Sequence, residues 1–292
     1  MRVLIIGCGY IGTALAHELA RGGHEVYAMQ RTESRYPELE AAGLIPVRGD
    51  VTEPATLARL KPDYDWVVNC VSAAGGGADE YRQVYLAGMR NVVEWLAAAP
   101  PKTFVYTSST SVYGQTDGSI VVETSVVEPV TETGKILLRT EELLLGAARQ
   151  KNFNAIIMRL AGIYGPGRGY WLKQFLEGQA RLETGGKRWL NMVHRDDVIG
   201  AITAALQRGK AGEIYNVADD EPVRQLVLLE WLAATLGRPL PSPVETEWAT
   251  NRNRGITNKR VSNRKLKQEL GYEFKYPTFR DGFAQEIARL SR

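Results

Sequence analysis

Cysteine and histidine are scarce in this 292-residue chain, with two of the first and three of the second. Cys8 and Cys70 are too few for a disulfide framework and suggest no metal site. No stretch reaches the eighteen or so apolar residues of a membrane helix. "VLII" at the N-terminus is too short for a signal-peptide core and runs straight into glycines and a helical pattern. An excess of charge of one sign is also missing. The 36 Lys and Arg against 33 Asp and Glu leave +3. That balance is too weak to point to nucleic acid, although a few clustered arginines would suit a phosphorylated small molecule. These absences lead us to expect a cytoplasmic protein with reduced thiols, no metal, no nucleic-acid partner and no membrane contact. What remains, 44% hydrophobic residues over this length, supports a large core in one big domain or one and a half.

Short apolar stretches alternate with helical patterns through the first half. Met1–Ile6, His24–Gln30, Leu44–Asp50, Asp65–Val71, Thr103–Ser109 and Asn154–Leu160 read as strands. Tyr10–Arg21, Asp79–Ala98 and about Thr133 to Gln150 read as helices. Strands that are apolar on both faces and separated by helices predict a parallel sheet covered on both sides. With right-handed crossovers this is an α/β fold with a doubly wound, Rossmann-type sheet. After Tyr164 the rhythm breaks. "GPGRGYW" reads as a loop, "LETGGKRWLN" as loop or short strand, and "RDDVIGAITAALQRG" as a helix capped by Asp196. "EIYNVAD" is a further strand, followed by a helix Leu226–Leu236, a connector "GRPLPSP" and a basic stretch "NRNRGITNKRVSNRK". We expect the dinucleotide-binding part to span 1–165 plus roughly 196–217. A smaller α+β substrate part would take 166–195 and 218–292.

"MRVLIIGCGYIG" places Gly7, Gly9 and Gly12 where a strand ends and a helix begins. The first glycine allows a tight turn, the second lets a pyrophosphate approach the backbone, and the third lets helix and strand pack closely. The helix N-terminus adds free N–H groups and partial positive charge. An NAD site usually ends its second strand with an acid about twenty residues on. Here Gln30 stands there and Arg31 follows. Gln30 removes a carboxylate that would repel a 2′-phosphate, and Arg31 offers a planar fork to bind one. Arg35 reads equally as a second phosphate ligand or a solvated loop charge. The expected cofactor is therefore NADP(H), with NAD(H) as the lesser alternative. Asp50, after the third strand, would accept from the adenine amino group, with Val51 beside it. Tyr10 and Ile11 complete the expected cofactor contacts.

The strings "GCGYIG", "RGDVTEP", "YTSSTSVYG", "MRLAGIYGPGR", "MVHRDDV" and "YNVADDEPV" together resemble the extended short-chain dehydrogenase/reductase family, the NAD-dependent epimerase/dehydratase group. The likeness covers nearly the whole chain. It implies a Rossmann domain for the cofactor, a smaller domain over the substrate, and catalysis by a Ser or Thr, a Tyr and a Lys spaced YxxxK. In this register Ser109 takes the Ser position and Lys135 the Lys position, holding the nicotinamide ribose, while Thr131 stands where Tyr belongs. An aliphatic hydroxyl is a far weaker acid than a phenol, which titrates near ~10. Thr131 is therefore a poor direct substitute, though it could position a water. The chain looks like an atypical subgroup, with GxGxxG and without the Tyr.

Tyr113, Tyr164, His194, Glu132 and Tyr85 are other ionisable groups near these motifs. Packing, loop support, structural or helix-dipole roles are expected for them, and none is singled out as the proton donor. Arg168, Lys187, Arg188, Arg254 and Arg260 could meet a substrate phosphate or carboxylate, and Tyr170, Trp171 and Trp189 could stack on a ring or fill the small domain's core. Apolar stripes on the helix "GKILLRTEELLLGAARQ", with Val84 and Trp95 outside the main stripe of the preceding helix, suggest a homodimer. Two functions follow. One is an NADP(H)-preferring oxidoreductase or epimerase acting on a hydroxyl or carbonyl of a small, sugar-nucleotide-like substrate. The other is an NADP(H)-binding sensor with weak or lost catalysis.

Overall fold

The computed structural model describes residues 1–73, 75–150, 153–244 and 257–290. Seven strands form one sheet: β1 (Arg2–Ile6), β2 (Glu25–Gln30), β3 (Ile45–Arg48), β4 (Trp66–Asn69), β5 (Thr103–Ser109), β6 (Ala155–Leu160) and β7 (Ile214–Val217). Their order is β7-β6-β5-β4-β1-β2-β3, with every neighbouring pair parallel. The chain winds outward from β1 to β3, then returns to β4 on the other side of β1. That reversal opens a crevice at the carboxyl ends of β1 and β4, where such sheets bind ligands. Alternate residues of β1 feed separate cores: Val3 and Ile5 on one face, Leu4 and Ile6 on the other. Burial on both faces explains why the strands read as unbroken apolar runs.

Helix α1 (Tyr10–Arg21) has the bounds that its sequence predicts. The expected helix after β4 is interrupted. Ala78–Tyr81 and Gly88–Leu96 are α-helical, but Arg82–Ala87 between them is a π-helix. The widened turn carries Val84 and Tyr85 to the cleft. Helix α2 is Glu132–Gln150 and helix α3 is Arg195–Arg208. The cap of α3 is His194 rather than Asp196: Nδ1 accepts from the Asp196 amide at 3.2 Å. The helix starts two residues earlier than a cap at Asp196 implies, so Asp196 sits in its first turn, where a carboxylate favours the dipole, and pairs with Arg195 at 2.9 Å.

A third core gathers Tyr164, Leu172, Phe175, Leu190, Leu228 and Phe283 in a smaller C-terminal unit. Helix α4 (Gln225–Leu236) packs there, as does part of the expected loop, whose end is the helix Tyr170–Leu176. Two helices escape the sequence pattern: α5 (Arg264–Leu270) and α6 (Phe279–Leu290). Each turns few large apolar residues inward, Leu266 and Leu270 in α5 and Phe279 and Phe283 in α6, amid charge. Val261, Leu266 and Leu270 join the sheet-side core, although the expected boundary put them in the substrate part. Among the described residues no helix is long and apolar enough to cross a membrane.

Trp95 and Val84, which lie outside the main apolar stripe, both have places within this chain. Trp95 packs on the Tyr64 ring and donates Nε1–H to the Leu60 carbonyl at 3.0 Å. Val84 lines the cleft. On α2, Leu143 and Leu145 stay half-buried beside the second core.

Candidate active site

A cleft of about 720 Å³ opens at the carboxyl end of the sheet. One end of it is built from the glycine turn, where the three glycines do different things. Gly7 has φ +89°, and a Cβ on it would lie 2.8 Å from the Val71 amide nitrogen. A Cβ on Gly12 would lie 2.2 Å from the Gly7 carbonyl oxygen. Packing forces both. At Gly9 a Cβ would meet nothing within 4 Å. No neighbour in the chain demands glycine there, so the open space belongs to whatever lies on the turn. Helix α1 starts at once, with no side-chain cap at Gly9 and no acid in its first turn. Uncapped amides around an open glycine fit a dinucleotide diphosphate. Gly7, Gly9, Tyr10 and Ile11 line the cleft; Gly12 lies beneath it.

Beyond the ends of β2 and β3, Arg31, Asp50 and Val51 line the same cleft. Arg31 makes no hydrogen bond or ion pair among the described residues. Arg35 is committed: Nη1 donates to the Cys8 carbonyl at 2.9 Å and its fork pairs with Glu38 at 2.9 Å. Gln30 Nε2 donates to the same carbonyl at 3.2 Å. Gln30 at the end of the second strand and Arg35 in the turn after it thus brace the glycine turn. Asp50 Oδ1 accepts from the Thr52 amide and hydroxyl, both at 2.8 Å, which fixes the carboxylate. The Val51 carbonyl accepts from Asn91 at 2.8 Å.

At the other end, Ser109 closes β5 and lines the cleft, its Oγ accepting from the Ser111 amide at 3.2 Å. The other two expected catalytic residues are not beside it. Thr131 caps α2, its Oγ1 accepting from the Gly134 amide at 3.1 Å. Lys135 is 52% exposed, with Nζ 3.9 Å from Glu132. Neither lines the cleft; Thr133 and Leu137 do, each 6% exposed. The reason is helical period. Thr133 and Leu137 lie one turn apart on one face, whereas Lys135, two positions on, is rotated roughly 200° away. The cleft-facing register of YxxxK is therefore Thr133 and Leu137, so this helix offers the cleft neither phenol nor ammonium.

The remaining tyrosines and the histidine are accounted for individually. Tyr113 OH turns into a buried network with Arg159 (2.8 Å) and Asn216 (2.9 Å). Tyr85 OH accepts from the Ala73 amide at 3.3 Å. Tyr164 lines the cleft, but burial raises its phenol far above the usual range. His194 is 0% exposed, and burial pushes it down to about 4, so it is a neutral cap near neutral pH. Glu132 faces Arg82 and Lys135 outside the cleft.

Sequence reasoning missed Lys259, which lines the cleft at only 4% exposure. Its Nζ donates to the Tyr113 carbonyl at 2.9 Å and to Thr257 Oγ1 at 2.8 Å. Burial lowers its proton affinity to about 8. It sits in a stretch whose basic composition reads as solvated surface. The segment is drawn inside where Arg260–Val261 pairs with Ile120–Val121. On the substrate side Arg168, Arg188, Tyr170, Trp171 and Trp189 line the cleft. Lys187 is exposed and outside it. Arg260 is turned to the Gly118 carbonyl and the Trp189 ring. Arg254 lies outside the described residues.

The model of the NAD dependent epimerase/dehydratase family matches residues 3–218. Protein YeeZ of Escherichia coli K12 is 32% identical over 282 residues, covering 94% of this chain and 96% of that one. The 2-alkyl-3-oxoalkanoate reductase of Stenotrophomonas maltophilia is 28% identical, covering 82% and 77%. Among solved structures, a double mutant of DesIV, a dTDP-glucose 4,6-dehydratase of Streptomyces venezuelae with NAD bound, superposes with TM-score 0.85 over 100% of this chain and 97% of that one. At 23% identity that likeness speaks to the fold.

Proposed function

The chain belongs to the NAD dependent epimerase/dehydratase family, and from that premise we propose that it is an NADP(H)-dependent reductase of a carbonyl on a small molecule. Membership makes it an NAD(P)-dependent oxidoreductase or epimerase. The narrower reading rests foremost on Arg31, an uncommitted guanidinium beside Gln30 at the end of β2, where an NAD site would carry an acid. The name of the Stenotrophomonas relative, a reductase of an oxo compound, supports the direction.

In this reading the amides of the glycine turn and the α1 N-terminus hold the diphosphate, Arg31 holds the 2′-phosphate, and Asp50 holds the adenine. Bound nicotinamide supplies hydride chemistry at C4. Ser109, whose oxygen already accepts from Ser111, has its O–H available to orient the substrate carbonyl. Ser109 Oγ thus polarises the carbonyl, while the aromatic residues Trp171 and Trp189 exclude water from that end. Thr131 and Lys135 shape and solvate the start of α2. We place the protein in the cytoplasm as a homodimer meeting through the part-exposed leucines of α2, with light scattering as the check. The test of function is NADPH oxidation with a panel of ketones and aldehydes, sugar-derived and acyclic. Arg31→Ala should raise the KM for NADPH about tenfold or more and leave that for NADH nearly unchanged.

A second reading is a sensor of cofactor redox state. The replacement of both helix positions by Thr133 and Leu137 favours it. Tight NADP(H) binding with no turnover of any carbonyl would select it.

A further inference from the structure

Several charged side chains at and beneath the cleft come with charged partners, Arg31 at the end of β2 being an exception. Arg188 pairs with Glu183 at 3.3 Å, Arg35 with Glu38 and Arg159 with Glu141. Lys259 does not. Its two acceptors, the Tyr113 carbonyl and the Thr257 hydroxyl, are neutral, and no carboxylate pairs with it among the described residues. An ammonium has three N–H donors. Two are spent inside the protein, and the cleft that Lys259 lines is open to the third. A buried cation without a counter-ion costs stability, and a Met of similar length would fill the space without that cost. The charge gains the fold no ion pair among the described residues; it suits a ligand oxygen.

The position is as telling as the isolation. Ser109 and Tyr113 stand at the two ends of the short turn Thr110–Val112. Lys259 is thereby tied to the same turn that presents Ser109, while the α2 residues that line the cleft, Thr133 and Leu137, bring it no ionisable group. We propose that Lys259 is the proton donor of this site, acting from the C-terminal segment in place of the absent phenol. The proposal rests on the reductase reading. The carbonyl carbon gains the hydride from the reduced nicotinamide cofactor, its π pair moves to oxygen, and that oxygen takes a proton from Nζ. The carbonyl becomes an alcohol, the cofactor is oxidised, and the neutral amine regains its proton from solvent.

Burial alone sets the proton affinity of Nζ, near 8. On the turn packed against it the Tyr113 hydroxyl points away to Arg159 and Asn216. On its own strand Arg260 points to Gly118 and Trp189. On the adjoining segment, whose Trp189 amide donates to Asn258, Arg188 is neutralised by Glu183. An acid of this strength is largely protonated at neutral pH and still able to give its proton up.

The test uses full-length wild type, Lys259→Met and Lys259→Arg. Lysine-selective 15N NMR, read without substrate, should show one ammonium titrating near pH 8 that vanishes in Lys259→Met; an ordinary lysine titration for Lys259 overturns the proposal. NADPH affinity by calorimetry should be unchanged in both variants, which controls for folding. In turnover, wild-type kcat should fall as pH rises through about 8. Lys259→Met should lose about 100-fold or more and lose that limb. Lys259→Arg, which keeps the charge but cannot release a proton, should not rescue. Rescue by Arg, or a Met variant at wild-type rate, refutes the role and leaves the reductase reading standing. Wild-type protein that binds NADPH yet reduces no carbonyl refutes the reductase reading, and this role with it.

Discussion

Lys259 and Tyr113 stand 146 positions apart in sequence, yet Lys259 Nζ donates to the Tyr113 carbonyl at 2.9 Å. This contact joins the C-terminal segment to the turn after β5 and brings a cation into the cleft. It also has a signature in stability. The folded protein holds Lys259 near 8, below the roughly 10.4 of an unfolded lysine. Between those values the unfolded chain binds the extra proton, so stability attributable to this residue rises with pH across the window. Relative to Lys259→Met, wild type should gain up to about 3 kcal/mol between pH 7.5 and 10.5, at roughly 1.4 kcal/mol per unit. Urea denaturation of both proteins at several pH values measures it. A pH-independent difference would mean that the ammonium is not desolvated.

The glycines of the first turn separate folding from binding. Gly12→Ala forces a methyl against the Gly7 carbonyl and should lower stability by about 2 kcal/mol or more. Gly9→Ala meets no atom of the chain, so its melting temperature should fall far less. The same methyl would occupy the space for the diphosphate and should weaken dinucleotide binding tenfold or more. Calorimetric titration and thermal unfolding of the two variants check this crossed pattern.

Beneath the cleft, Arg159 and Glu141 form an ion pair at 2.7 Å, with side chains 3% and 1% exposed. Arg159 also donates to Tyr113 OH, and Ser108 donates to Glu141. Arg159→Met strands the Glu141 carboxylate and should cost about 3–5 kcal/mol. Adding Glu141→Leu removes the buried charge and should recover much of that loss, as read by denaturant midpoints.

The parts of this molecule governed by local pattern were legible in the sequence. Tyr10–Arg21 is bracketed by Gly9 and Gly22, and Thr103–Ser109 is an apolar run ending in hydroxyls, so both elements stand where the residues put them. That the glycine turn, Arg31 and Ser109 lie where strands end was legible for the same reason. Register on α2 was not. Thr131 and Lys135 share a spacing of four with Thr133 and Leu137, and only packing against the sheet decides which pair faces the cleft. The π-helix at Arg82–Ala87 shifts Tyr85 in a way that a regular helical period does not show. Lys259 depends on a strand pairing with Ile120–Val121, far away in the chain, which no local charge pattern encodes.

All of this rests on a nicotinamide dinucleotide occupying the cleft with its adenosine end at Arg31. Isothermal titration of the purified protein with NADP+ and with NAD+ tests that most directly. The account predicts saturable binding of both, with NADP+ tighter by about tenfold or more. Absence of binding by either, or a preference for NAD+, would contradict it.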